Sequence, residues 1–573
     1  MTRTRLSIAL FALLLAPLAA SPARTQTADA GTPVVSVHTT DEVFPVLVRD
    51  GANGAFVGFQ TILPTSPGVG MGGAHGIIHV ARLKNDATPA PEWTPSQADP
   101  IWLSYGEPTN IVPIGDGRVW AVGDGELLVP GMSYYHDYYM LQVDPGGVTA
   151  PQVQAGRGIR YVTESMQAVG QPDGHAMVLY MLNSYFGDPG LLVDRVAPDG
   201  GLAHSAIDLG FYYLSDPPVV DAAVKGADGS AIVTLWASAG AGRDLYAVSV
   251  HADGSPAWVP AARALSTAPG NQFETSCASD GAGGLFVAWR DERTPGTTPD
   301  VYATHMLADG SIAPGWPASG KAISANTGEQ SHARTVSDGA GGVWLVWTDA
   351  RSGNLEVYYT HLHADGTPAA GFSVSGRPLS NAPGGKRDPL TVSDGVGGLF
   401  VVWRDGRNLH DFDLFGQHIL ADGSVAPGLA ADGEAICTNP TDQTDLALLD
   451  IAENAAIVAW RDNRTGVGVL YAARVPAGNV GLGAPGHGGG ALALAPVGPN
   501  PVHGACEWTI SAPEAGAVSV QLIDVQGRVR ASRALEAPVT NAHVRFDMPE
   551  PGLFFVTVAQ AGRTVSSRIA FMH

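Results

Sequence analysis

Apolar positions fall in short runs separated by turn residues, and the runs repeat. Residues 285–289 read Leu-Phe-Val-Ala-Trp, apolar on both alternating faces. Such a segment predicts a strand covered on both sides, as when sheets pack face to face. Before it, Ser279-Asp280-Gly281-Ala282-Gly283-Gly284 has the Asp and Gly content that tight hairpins require. After it come a turn at 291–299, a strand at 301–307, a turn at Ala308-Asp309-Gly310 and a short strand from 322. A further strand precedes each Asp-Gly turn, as at 333–336, giving four strands per unit. The anchor tryptophans Trp289, Trp347, Trp403 and Trp460 lie 58, 56 and 57 residues apart. Four-stranded antiparallel units at a fixed period of this size predict the blades of a β-propeller.

Weaker copies precede these four. Phe59, a position near Val122, Tyr180 and Trp236 stand where the second-strand aromatic is expected. Their turns survive as Asp50-Gly51, Asp116-Gly117, Asp173-Gly174 and Asp228-Gly229. The count predicts an all-β, eight-bladed propeller, with seven blades as the alternative. The last copy lacks a fourth strand, whereas an unassigned strand at 34–38 precedes the first copy. The latter is expected to complete the final blade and leave no exposed edge. Two stretches in the early copies, 61–76 and 123–137, read as long irregular loops, where function tends to sit.

The ends read differently. Arg3 and Arg5, an apolar run from 6 to 16 and small residues at Ala19, Ala20, Ser21 and Ala23 predict a signal peptide over 1–23. Its apolar run is shorter than the roughly 20 residues that span a bilayer, and no transmembrane segment is expected in the mature chain. The propeller is expected over 34–475, then a Gly/Ala-rich linker over 476–496. Residues 497–573 hold short alternating segments at 507–510, 517–523, 529–534, 542–546, 553–560 and 564–571, which predict a small β-sandwich.

In this last region Pro499-Asn500-Pro501, Asp524 through Gly527-Arg528, Gly552 within Pro-Gly-Leu-Phe-Phe-Val, and Gly562-Arg563 occur in that order. The pattern closely resembles the type A C-terminal sorting domain of type IX secretion cargo, and the related immunoglobulin-like domain of flagellar hook-capping proteins. The resemblance implies outer-membrane secretion machinery as a partner, and a secreted or cell-surface address in a Gram-negative bacterium. The tail at 568–573 departs from the family's basic-plus-aliphatic end. The repeats are similar to those of secreted bacterial propellers with a DGxGGxxVxWxDxR pattern, a likeness that implies fold rather than activity.

The 573 residues carry a formal charge of −22, which argues against a nucleic-acid partner. Cys277, Cys437 and Cys506 lack paired spacing, and an odd count leaves at least one thiol free or paired to another molecule.

Candidate chemistry is sparse. Asp291 with Arg293, Asp349 with Arg351, Asp405 with Arg407 and Asp462 with Arg464 recur in every strong copy. A pair repeated in each blade reads as scaffold, the Asp capping a turn and the Arg bonding it or a neighbouring blade's carbonyls. The Ser-Asp-Gly turns at Ser279, Ser337 and Ser393 resemble the Asp-boxes of sialidases, which are themselves turn structures. Tyr134, Tyr135, His136 and Tyr138 form an aromatic, polar cluster in the irregular second copy, the expected place for a ligand-facing insert. His305, His361 and His418 occupy one equivalent position in three copies, too far apart on neighbouring sheets to share a metal. Asp411 and Asp413 give a weak calcium pattern, and no other cofactor is expected. The expected function is binding of an extracellular glycan or protein. The alternative is a sialidase-like glycoside hydrolase acting on extracellular polysaccharide.

Overall fold

The computed structural model of the chain is all-β. The residues described run from 31 to 571, apart from 35–40, 52–53, 64–74, 91–109, 115–117, 128–134, 144–152, 160–161, 183–189, 210–217, 227, 240–241, 452–453, 479–492, 498–504, 525–527, 548–551 and 561–562. Among them no helix is long and apolar enough to cross a membrane.

Eight antiparallel meander sheets follow one another. Sheet I holds Asp41–Arg49, Ala55–Leu63 and His75–Leu83. Sheet II holds Asn110–Pro113, Val119–Leu127, Tyr135–Val143 and Val153–Ile159. Sheet III holds Val162–Gly170, Ala176–Leu182, Gly190–Val196 and Leu202–Asp208. Sheet IV holds Val219–Lys225, Ala231–Ala239, Gly242–Val250 and Ala262–Ser266. Sheet V holds Gln272–Ser279, Leu285–Asp291, Asp300–Met306 and Lys321–Ser324. Sheet VI holds Gln330–Ser337, Val343–Asp349, Glu356–Leu362 and Arg377–Pro378. Sheet VII holds Lys386–Ser393, Leu399–Asp405, Asp413–Ile419 and Glu434–Cys437. Sheet VIII holds Gln443–Ile451, Ala455–Asp462 and Val469–Arg474, with Thr32–Pro33 added at its edge. The first strand of each sheet lies beside the first strand of the next, and that of sheet I lies beside that of sheet VIII.

The doubly apolar second strands are explained by this stacking. Trp344 and Val346 of sheet VI pack with Leu399, Val401 and Trp403 of sheet VII, all buried. Val57 and Phe59 of sheet I pack with Ile457 and Ala459 of sheet VIII in the same way. The core therefore lies between sheets, and each sheet gives one face to each neighbour.

The missing fourth strand of sheet VIII is supplied from the other end of the chain. Thr32 pairs with Ala472 and Pro33 with Tyr471, slightly ahead of the segment expected from the sequence. The match extends to the glycine that seats the tryptophan. At Gly433, with φ +87°, a Cβ would stand 2.3 Å from the ring of Trp403. At Gly31 a Cβ would stand 2.6 Å from the ring of Trp460. Each glycine directly precedes the fourth strand of its sheet, so the N-terminus reproduces the repeat in detail.

Three expectations need correction. Lys225 opposes Ala231 as Ser279 opposes Leu285, so Leu235 and not Trp236 is the counterpart of Trp289. A bulge at Asp221 shifts the pairing beyond it. Within the loops expected at 61–76 and 123–137, residues 61–63, 75–76, 123–127 and 135–137 continue nine-residue strands. In the C-terminal module the expected short strands merge into Ala505–Asp524 and Val529–Asp547, which stay paired through register shifts near Ala512 and Gly516. With Ala493–Val497, Gly552–Gln560 and Arg563–Phe571 they form one five-stranded sheet. Trp508, Val520, Phe546 and Phe554 share its core.

Candidate functional site

The recurring Trp-x-Asp-x-Arg residues assemble as a closed node. Asp291 is buried and accepts from Trp289 Nε1 at 2.7 Å and from the Arg293 backbone N–H at 2.8 Å. Arg293 grips it through Nε at 2.8 Å and Nη2 at 2.7 Å, and stacks 3.6 Å above Tyr302. Arg407 holds Asp405 with the same two contacts and lies over Phe415. Arg351 and Arg464 close on Asp349 and Asp462. Burial works to raise the Asp349 carboxyl, but Arg351 and Trp347 outweigh it and hold it below the usual range. The carbonyls that Arg293 and Arg407 also reach are Ser319 and Asp432, in their own sheets rather than a neighbour's. Apart from Arg351 Nε, which is buried without a partner, the donors named here are spent within the scaffold, so these nodes hold the second-to-third-strand turns.

The histidines are likewise consumed. His305 Nε2 meets Asp280 at 3.0 Å, its Nδ1 meets the Ala364 carbonyl of sheet VI at 3.0 Å, and its ring stacks on Phe286 at 4.1 Å. His418 makes the equivalent contacts to Asp394, the Ala477 carbonyl and Phe400. His361 bonds Asp338 and stacks on Trp344. Among the described residues no cluster of three or more His, Cys, Asp or Glu side chains is placed to hold a metal. Asp413 is bonded by Asn408, and burial, with Asp411 and Asp405 nearby, pushes its carboxyl up to about 6. Cys277 and Cys437 are free thiols.

Tyr135, His136 and Tyr138 lie on the third strand of sheet II, opposite Leu127, Glu126 and Asp124. Tyr134 lies outside the described residues, as do Pro499, Asn500, Pro501 and Gly527. Asp524 ends one long strand of the C-terminal sheet, Arg528 is exposed just before the next, and Gly552 opens a third.

A different constellation was not visible in the sequence. Phe44, Glu274, His332, Asp388 and Asp445 occupy one equivalent position on the first strands of sheets I, V, VI, VII and VIII. Each sits in a bulge with positive φ, between 49° and 55°. Non-glycine residues held there are strained by about 1–3 kcal/mol each, and such strain concentrates at functional sites. The residue after each tryptophan steadies the acid: Arg290 reaches Glu274 at 3.3 Å and Arg404 reaches Asp388 at 2.9 Å. In sheet VI these positions hold His332 and Thr348; His332 bonds Ser331 instead, and the Thr348 hydroxyl is buried without a partner.

One cation breaks the repeat. Arg334 stands on the first strand of sheet VI, where Ser276, Leu390 and Ala447 stand in sheets V, VII and VIII. Burial pulls it below its usual range, while Glu274, Asp388 and Asp221, from three other sheets, act to hold its charge. Burial pushes the Asp221 carboxyl above its usual range, although the Thr275 N–H and hydroxyl bond it at 2.6 and 2.7 Å. Glu274 Oε2 is buried with no hydrogen-bond partner. Asymmetric, mixed charge with an unused acceptor can orient a polar ligand, which a uniform rim cannot.

No protein-family model matches the chain, and no curated protein does. Among solved structures, an ulvan lyase of a polysaccharide lyase family is 10% identical, with a TM-score of 0.39 over 69% of this chain and 97% of that one. A Hadza microbial sialidase is 12% identical, TM-score 0.31, over 58% and 71%. A Penicillium chrysogenum α-L-arabinanase complexed with arabinobiose is 11% identical, TM-score 0.30, over 64% and 91%. At these values the likenesses carry no argument about activity.

Proposed function

We propose that this chain is an exported, eight-bladed β-propeller that binds an extracellular glycan at the mouth between its first strands. Its C-terminal module serves as the address that takes it to the surface of a Gram-negative cell. Eight successive sheets, and a last one completed by Gly31 to Pro33, support the ring. The signal-like N-terminus and the ordered motifs between Pro499 and Arg563 support the export route.

The observation that carries the binding reading is Arg334 facing Asp221, Glu274 and Asp388 from three other sheets. A glycan array probed with the full mature chain, with and without calcium, tests it. A defined hit that Arg334→Ala abolishes supports the reading. A blank array, or a hit indifferent to that change, refutes it, and pull-down of a protein ligand would replace the glycan. Deleting 497–573 is expected to retain the protein inside the outer membrane.

One observation favours hydrolysis as a second reading. Asp221, pushed toward its protonated form, feels Glu274 nearby, and acid and base roles separate in this way when two carboxyls differ in environment. Turnover of the array hit, lost in Asp221→Asn, tests it.

A further inference from the structure

The His–Asp tie that links sheets V, VI and VII to the turns is missing from sheet IV, and it is missing as a pair. Ser249 stands opposite Ile232 where His305 stands opposite Phe286. Gly226 stands at the position of Asp280, next to Lys225 at the position of Ser279. A Cβ at Gly226 would come within 2.1 Å of Ser230 Oγ, so this turn has been rebuilt around the lost carboxylate. The other half of the interface is kept. Trp258 Nε1 bonds the Ala308 carbonyl at 2.9 Å, as Trp316 Nε1 bonds that of Ala364 at 2.8 Å.

Removing an imidazole, its carboxylate and the aromatic ring beneath them leaves space. A cleft of about 720 Å³ opens there between sheets IV and V. Small-molecule sites commonly measure about 300–1,000 Å³. Its polar wall includes Lys225, Asp228, Ser230, Ser249, His251 and the Gly281–Gly284 backbone, and Ile232 and Ala257 give it an apolar side. Among the described residues no carboxylate is within ion-pairing distance of Lys225. Asp228 lines the same cleft but is committed to Ser230, whose N–H and hydroxyl it accepts. The Lys225 ammonium is therefore the local group left to meet an anion, against the field of a chain of net charge −22.

We propose that this cleft is a binding site for a small carboxylate-bearing sugar, with the carboxylate on Lys225 and the sugar hydroxyls on the serines and turn backbone. It lies at the hairpin end of the first strand of sheet IV, beyond Asp221, and is independent of the Arg334 reading.

Titration calorimetry of the full chain with galacturonate and with galactose tests the site. Two variants restore residues that the repeat itself uses. Ser249→His puts the imidazole back, and Lys225→Ser removes the cation, so both are expected to keep the wild-type circular dichroism spectrum. Saturable binding of galacturonate, weaker by about tenfold or more for galactose and for Lys225→Ser and lost in Ser249→His, is the expected result. Equal affinity for the neutral sugar, binding unchanged in both folded variants, or no saturable binding of galacturonate would overturn the proposal.

Discussion

Glu42 is the sharpest point at which to test the reading of the seam between sheets I and VIII. It is 2% exposed, its N–H bonds the Gly468 carbonyl, and its Oε2 accepts the Leu470 N–H at 2.8 Å. The equivalent residues elsewhere are Gln272, Gln330, Lys386 and Gln443, each buried and donating to carbonyls of the incoming loop. Sheet I places a carboxyl where sheets V to VIII place a donor. Burial raises the Glu42 carboxyl from 4.5 to about 7, with the Leu470 N–H working against the rise. In the unfolded chain the carboxyl ionises near 4.5, so the folded state binds the extra proton between the two values. The native seam is therefore unpenalised below about pH 4.5, loses stability as pH rises to 7, and stays at the lower level above. At about 1.4 kcal/mol per pKa unit the full loss is roughly 3 kcal/mol. Glu42→Gln keeps the acceptor and supplies the missing donor. It is expected to stabilise the protein by roughly 3 kcal/mol at pH 9 and hardly at all at pH 4. Urea denaturation at both pH values, with hydrogen exchange of the Leu470 amide, reads the effect. An equal difference between variant and wild type at the two pH values would refute the reasoning.

The scaffold nodes give further expectations. Asp405→Ala strands Arg407 and Trp403 Nε1 and is expected to cost roughly 3–5 kcal/mol in urea denaturation, as for a buried pair broken on one side. Gly433→Ala combines a positive φ with a clash against Trp403, and a loss of at least about 1 kcal/mol should appear in the same assay. Burial tends to raise Asp338, but His361 and the Ala340 and Gly342 N–H groups hold it below 3.8. Its contribution is present above that value and fades as pH falls below it. Asp338→Asn should therefore destabilise at pH 7 and progressively less as pH falls below 3.8, read by thermal melts across pH.

Much of the scaffold was legible because its determinants are local. Trp289, Asp291 and Arg293 sit within five positions and make most of their contacts with one another. The Ser-Asp-Gly turns likewise bond within their own six residues. The mouth was not legible, because it depends on bulges. Nothing in the residue types of Phe44, Glu274 or His332 signals a left-handed backbone, and their convergence needs neighbouring sheets. The recurring Gln-x-Glu, Gln-x-His, Lys-x-Asp and Gln-x-Asp triplets were a signal that could have marked the position. Register failed at Trp236 because the expectation followed the aromatic residue type: counted from the hairpin, Leu235 stands opposite Tyr246 as Trp289 stands opposite Tyr302. The C-terminal break expected around 511–516 failed because an Ala-Pro-Glu-Ala-Gly stretch, rich in turn formers, stays paired through irregular register.

The seam also bears on how copies of this chain meet. Thr32–Pro33 complete a sheet whose other strands come from the far end of the propeller, and Arg49 reaches Asp450 across 401 residues. Until that short strand arrives, Val469–Arg474 offers an open edge with a vacant place beside Trp460 for a glycine. Any second molecule carries the same Gly31-Thr32-Pro33 segment. At high concentration during folding the two chains can exchange these arms, each closing the other's last sheet without a single new type of contact. Dilution during refolding would favour self-closure, and crowded refolding would favour interlocked pairs.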